Sequence, residues 1–289
     1  MPWISDATVS RRLFLGSAVA TVAARAAGSG QAHWALLSDT HIPVDPEESY
    51  RGFKPIENLK AVVPQVLKAN PDGVVISGDL ARLRGLPGDY QALHGLLAPL
   101  AGKTPVAMTL GNHDDRKNFQ ALFGDALKDR RQPVPARHVL VVEAPPVRWV
   151  ILDSNIQTDF TPGLLGKAQR AWLDSYLTKA DLTPTLVVFH HPPDDADGNL
   201  LDSDRLLRIV APHRKVKALI YGHAHVYRYG IEQGIHLISL PAVGYNFNDR
   251  EPVGWVDARL SASGGEFTLR ALAGNKEMDG KTERLEWRA

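Results

Sequence analysis

The feature that most constrains this 289-residue chain is a series of short apolar runs, each stopping at a cluster of polar residues. Trp34–Leu37 stops at Ser-Asp-Thr-His, Val74–Ile76 at Ser-Gly-Asp, and Val106–Leu110 at Gly-Asn-His-Asp-Asp. Trp149–Leu152 stops at Asp-Ser-Asn, Leu186–Phe189 at His-His-Pro-Pro, and Val216–Tyr221 at Gly-His-Ala-His. Runs this short that are apolar almost throughout, without alternation, fit strands covered on both faces. Helix-like segments separate them: Ile56–Ala69, Asp89–Leu100, Lys117–Leu127, Lys167–Lys179 and Ser203–Ala211. Pro64 counts against an unbroken helix in the first of these. Strands alternating with helices predict an α/β fold with the helices outside.

After Ala211 that rhythm stops. Ile235–Leu240, Gly254–Leu260 and Glu266–Ala271 read as successive strands joined by turns such as Ser263-Gly264-Gly265. They predict a second sheet packed on the first. The expected fold is a four-layer α/β/β/α sandwich of two packed mixed β-sheets flanked by helices, with residues 31–289 as one domain. No repeat or long linker divides that stretch.

The segment before it reads as an address. Arg11-Arg12, Phe14 and Leu15 precede an Ala-rich apolar run, then small residues continue through Gly30. The apolar stretch Leu13–Ala24 is shorter than the ~20 residues that span a bilayer. This pattern predicts a signal peptide over residues 1–30, of the twin-arginine type, and export to the periplasm or beyond. An N-terminal helix with two exposed arginines is the alternative.

Composition narrows the chemistry. The chain has no cysteine, which excludes thiolate metal sites, iron–sulfur clusters, disulfides and thiol nucleophiles. Any metal must be held by His, Asp, Glu, Asn or backbone oxygen. A formal net charge of +1 gives no reason to expect a stable nucleic acid partner. Hydrophobic residues at 44% and charged ones at 22% describe an ordinary globular domain.

In open α/β sheets, ligand sites form beyond the carboxyl ends of strands, where each polar cluster falls. Taken alone, every cluster has a plain alternative. Asp39-Thr40-His41 could be a turn with a helix cap, Gly78-Asp79 a simple turn, and His190-His191 a strand end. Gly111-Asn112-His113-Asp114 offers a neutral oxygen, an imidazole and a carboxylate after a tight turn. Gly222-His223-Ala224-His225 is the most specific. On an extended stretch its two imidazoles face the same way, about 6–7 Å apart, which suits two neighbouring metals.

The ordered set Asp39-x-His41, Gly78-Asp79, Gly111-Asn112-His113-Asp114, His190 and Gly222-His223-x-His225 resembles the calcineurin-like metallophosphoesterases, over roughly residues 33 to 245. The resemblance implies that Asp39, His41 and His225 hold one metal and Asn112, His190 and His223 the other. It also implies that Asp79 bridges them, while His113 faces the substrate without binding metal. Two divalent ions about 3.5–4 Å apart can clamp both oxygens of an in-line displacement, and a hydroxide bridging them is the expected nucleophile. Oxygen and nitrogen ligands without sulfur suit manganese, iron or zinc.

Asn112 and His113 are the expected substrate contacts, with His113 stabilising phosphoryl oxygens or protonating the departing alkoxide. His191 is expected in the pocket or behind the ligands. Asp114 and Asp115 could orient His113, or Asp114 could cap the next helix. The remaining histidines, 33, 94, 138, 213 and 236, read as surface or satisfied core, and Asp153 as no ligand.

Purple acid phosphatases of the family carry a Tyr ligand three residues after the bridging Asp. Arg82 holds that position here, which disfavours a purple centre; Arg82 could reach the phosphate or be an exposed helix residue. The motifs look most like the phosphodiesterase branch, with cyclic nucleotides or glycerophosphodiesters as small-molecule substrates. A phosphomonoesterase, a nuclease and a non-catalytic binding member are the other readings. The leaving-group pocket is expected from Val44–Phe53, Asp159–Gly166, Asp194–Asp202 and Gly244–Pro252.

Overall fold

A computed structural model describes residues 30–289, so the expected signal peptide lies outside the described residues apart from Gly30. Two six-stranded mixed sheets pack face to face. The first contains β1 (Gln31–Leu37), β2 (Gly73–Ile76), β3 (Val106–Met108), β10 (Pro252–Ser261), β11 (Gly264–Gly274) and β12 (Thr282–Glu286), ordered β12-β11-β10-β1-β2-β3. The second contains β4 (Leu140–Ala144), β5 (Val147–Ile151), β6 (Thr185–Val188), β7 (Val216–Tyr221), β8 (Arg228–Glu232) and β9 (Ile235–Ser239), ordered β4-β5-β6-β7-β9-β8. The helices are α1 (Pro55–Ala69), α2 (Pro87–Ala101), α3 (Arg116–Phe123), α4 (Gly166–Lys179) and α5 (Ser203–Val210). None among the described residues is long and apolar enough to cross a membrane.

The nearly uniform apolar runs conceal a period of two. Trp34 and Leu36 of β1 point into the core between the sheets, while Ala35 and Leu37 point to α1, α2 and α3. In β6 and just after it, Leu186 and Val188 face the other sheet, and Val187 and Phe189 face α4 and α5. Two-sided burial removes the polar face that would mark the alternation. Trp34 and Trp149 meet across the sheets at 5.1 Å between ring centroids. Each indole removes roughly 150–250 Å² from water, a contribution of about 4–6 kcal/mol before ordering costs.

The four layers are as expected, but strand membership is not. The first three apolar runs lie in one sheet and the next three in the other. Ile235–Ser239 does not join the late sheet: it pairs in parallel with β7. Strands β10 and β11 instead extend the first sheet, β10 lying antiparallel to β1. A run buried on both faces carries no mark of its neighbour, so partner choice was not written locally. Strands β4, β8 and β12 also escaped the sequence reading. Pro64 lies inside α1, which continues through it.

Candidate metal centre

The loops after β1 and β2 keep pairing beyond the strands: Asp39 N donates to Gly78 O at 3.0 Å and His41 N to Asp79 O at 2.9 Å. Gly222 N donates to His190 O at 3.0 Å, and Gly244 N to Asp39 O at 2.8 Å. These bonds gather chain segments distant in sequence at the carboxyl ends of the strands. Asp39, His41, Asp79, His223 and His225 all take left-handed backbone conformations, with φ of 50°, 45°, 47°, 68° and 54°. Such strain in non-glycine residues costs of order 1–3 kcal/mol each and concentrates where side chains must converge. The stretch 222–225 is therefore not extended as its spacing suggested, because β7 ends at Tyr221 and both histidines turn inward through positive φ.

The ligating atoms of Asp39, His41 and His225 lie within 4.8 Å of one another. The same holds for Asp39, Asp79 and His190, for His41, Asp79 and His113, and for His190, His191 and His223. Asn112 joins the last group, its Oδ1 2.9 Å from His223 Nδ1. Separations across the centre include 3.1 Å between His41 Nε2 and His225 Nε2, and 3.3 Å from His225 Nε2 to Asp39 Oδ1. His190 Nε2 stands 3.2 Å from Asp79 Oδ2 without hydrogen-bond geometry. Two ligands about 2.1 Å from one ion and at right angles are about 3 Å apart, so these spacings suit shared coordination.

Backbone carbonyls fix the imidazoles. The Nδ1 atoms of His41, His190, His225 and His113 bond to the carbonyls of Arg82 (3.1 Å), Ser77 (2.7 Å), Tyr245 (2.6 Å) and Leu83 (2.8 Å). A carbonyl only accepts, so each Nδ1 carries the proton, and in a neutral ring Nε2 keeps its lone pair.

Charge points the same way. Burial pushes the Asp39 carboxyl up, but His225 and His190 outweigh it and hold it at about 2. Burial is likewise overcome at Asp79, chiefly by His190, which puts it well below the usual carboxylate range. Burial takes His41 down to about 3, and burial with His190 takes His223 down to about 4. Against its own burial, His190 rises to about 9 through Asp79 and Asp39. Two ionised carboxylates, Asp39 and Asp79, are thus buried among the imidazoles. Uncompensated buried charge costs several kcal/mol, and the donor set fits divalent cations.

Asp114 neither touches His113 nor caps a helix. It accepts from Gly111 N (2.9 Å), Leu80 N (3.1 Å), Ala81 N (3.1 Å) and the Tyr90 hydroxyl (3.0 Å), tying the two loops together. Asp115 is the cap of α3, accepting from Asn118 N at 2.8 Å. His113 is placed instead by its N–H to Asp79 Oδ1 at 2.9 Å and by the Leu83 carbonyl.

His191 bonds Ser154 Oγ at 2.8 Å, its ring 4.7 Å from that of His223. Arg82 is neither helical nor exposed: Nε bonds Glu48 at 2.6 Å, and its guanidinium lies 5.4 Å from the rings of Tyr50 and Tyr245. Asp153 is taken by Arg116. Sequence reading missed Ser38, which bonds Asp39 and Ser77, and all of the orienting carbonyls. A carbonyl belongs to every residue and leaves no signal.

The sequence profile of calcineurin-like phosphoesterases matches residues 33–227. The chain belongs to the calcineurin-like phosphoesterase family. It is 31% identical over 241 residues to a protein of Synechococcus sp. named a probable cyclic nucleotide phosphodiesterase, covering 80% of this chain and 88% of that one. It is 29% identical over 231 residues to a glycerophosphodiester phosphodiesterase of Enterobacter lignolyticus, covering 75% and 81%. Among solved structures, a dimetal phosphatase from Danio rerio superposes with a TM-score of 0.71 at 16% identity, covering 89% and 99%, which shows a shared fold. As a member of this family the chain is a metal-dependent phosphoester hydrolase.

Proposed function

We propose that this phosphoesterase hydrolyses phosphodiesters at a centre of two divalent ions. Asp39, His41 and His225 would hold one ion and Asn112, His190 and His223 the other, with Asp79 available to both. The observation that carries the reading is the set of buried donor atoms about 3 Å apart, with His41, His190 and His225 locked so that Nε2 points inward and His223 turning Nδ1 toward Asn112 Oδ1. When bound, the ions supply Lewis acidity toward the phosphoryl oxygens and an activated water. Manganese, iron or zinc suits this oxygen and nitrogen donor set.

The chain's own residues do the rest. His113, its Nδ1 proton held by Leu83 O, presents Nε2 to the substrate, and as the imidazolium it would give the Nε2 proton to the departing alkoxide and return to the neutral ring. Asn112 is anchored through Oδ1 beside His223, leaving its amide N–H groups for a phosphoryl oxygen. Asp114 holds the loops carrying Asp79 and Asn112 in register. Relatives named for cyclic nucleotides and for glycerophosphodiesters both support a diester substrate.

The test counts metals in the purified protein and compares bis(p-nitrophenyl) phosphate, p-nitrophenyl phosphate and single-stranded DNA. Two ions per chain under saturating manganese, with the diester favoured, is the expected result. Fewer than two ions and no ester turnover would sink the reading, and a monoester preference would reassign the substrate. We further propose that residues 1–30 direct twin-arginine export, leaving residues 31–289 as the mature domain. Retention of the precursor in the cytoplasm when Arg11 and Arg12 become Lys tests this in a bacterial host; unchanged export would refute it.

A further inference from the structure

Three loops around the centre carry aromatic rings stacked in sequence. Tyr245 is buried and stacks on His41 at 4.7 Å and 28°. Tyr50 leans on Tyr245 at 4.7 Å, and the Arg82 guanidinium lies against both rings while its Nε bonds Glu48. Phe247 lies nearly parallel on His225, at 4.3 Å between centroids and 24° between planes, yet it is 52% exposed. One face of that phenyl ring is covered by a candidate metal ligand, and the other accounts for its exposure.

The residues beside Phe247 are anchored. Asn246 is buried and donates to Glu251 O at 2.7 Å, while Arg51 pairs with Asp249 at 2.9 Å and joins the Tyr50 loop to the Phe247 loop. A braced, half-exposed aromatic plane beside a phosphoryl site suits a second planar ring. Aliphatic arms gain little from such a surface, whereas any nucleobase offers a π-face of matching geometry.

We infer that Phe247, backed by His225, is a stacking platform selecting phosphodiesters with a nucleobase on one ester arm over those with aliphatic arms. The inference rests on the phosphodiesterase reading and makes Phe247 a specificity-determining residue.

The test compares wild type with Phe247→Ala, Phe247→Leu and Phe247→Tyr, all manganese-loaded and with metal content measured. The first readout is the ratio of kcat/KM for 3′,5′-cyclic AMP to that for glycerophosphoethanolamine. The second is the ratio of calorimetric affinities for AMP and inorganic phosphate. Loss of one base-stacking contact is expected to lower both ratios by about tenfold or more in Phe247→Ala, chiefly through KM in the kinetic case. Phe247→Leu should resemble Ala, and Phe247→Tyr should resemble wild type.

Unchanged ratios in Phe247→Ala, a Leu variant as selective as wild type, or a wild type that prefers the glycerol diester would each overturn the inference. If wild type cleaves no diester, the phosphodiesterase reading fails by itself. The AMP-to-phosphate affinity ratio would still decide the platform.

Discussion

The Nε2 atoms of His41 and His225 face each other at 3.1 Å, each on a ring whose Nδ1 is committed to a carbonyl. Two imidazole lone pairs this close repel unless a cation or proton lies between them. Burial takes the His41 pKa down to about 3, and Asp39 Oδ1 stands 3.3 Å from His225 Nε2, so the three atoms form a donor set that a cation completes. Removing metal with a chelator should therefore lower the thermal midpoint, and manganese should restore it. At a thousand times Kd a ligand adds about 4 kcal/mol, which is readily seen by calorimetry. A midpoint indifferent to chelation and to manganese would count against the centre.

Asp79 and His113 separate binding from chemistry. Asp79 touches His190, His41 and the His113 backbone N–H, so Asp79→Ala should empty the site and abolish turnover together. His113→Ala should keep both ions and lower turnover on poor leaving groups by about 10²–10⁴-fold, the usual range for a lost general acid. Metal analysis beside kinetics on alkyl and nitrophenyl esters distinguishes the two. Loss of metal in His113→Ala would show that it is a ligand.

Gly222 lies where a Cβ would strike Ser38 Oγ and Asp39 Oδ2. Gly222→Ala should cost about 1–3 kcal/mol by overpacking and weaken metal retention. Gly95, in α2, has no atom near its would-be Cβ, so Gly95→Ala should stabilise by about 0.5–1 kcal/mol. Urea titration of the two variants gives opposite signs if the placement is right.

His138 lies away from the centre and is buried against Met108 O and Gln120. Burial depresses its folded pKa from 6.5 to about 4, so between those values the unfolded chain holds more protons. Its contribution is complete above pH 6.5 and falls as pH drops toward 4. The loss over that window is about 3 kcal/mol. The stability difference between wild type and His138→Gln should shrink by that amount from pH 7 to pH 4. A constant difference would mean that His138 does not titrate in this window.

Arg288 donates to the carbonyls of Val210 (3.2 Å), Ala211 (3.1 Å), His213 (2.7 Å), Val216 (2.9 Å) and Gln233 (3.1 Å). It closes the C-terminal end of α5 against β7 and the β8–β9 turn. Arg288→Ala should destabilise by on the order of 3 kcal/mol with little effect on metal content. A shift under about 0.5 kcal/mol would show that water replaces those bonds at no cost.

What the amino-acid order determined by itself was type and place: apolar runs for buried strands, and Asp39, His41, Asp79, Asn112, His190, His223 and His225 beyond their ends. Those signals are local, since burial and donor chemistry are properties of a residue and its neighbours in the chain. Tertiary structure alone decided which sheet each strand joined, because a strand apolar on both faces says nothing about its partner. It alone turned His223 and His225 inward through left-handed backbone where their spacing suggested an extended run. It also chose Asp115 over Asp114 as the cap, set Arg82 against Glu48, and brought the carbonyls of Ser77, Arg82, Leu83 and Tyr245 onto the imidazoles. Hydrogen bonds to backbone carbonyls depend on where the chain passes, not on which residue it carries there.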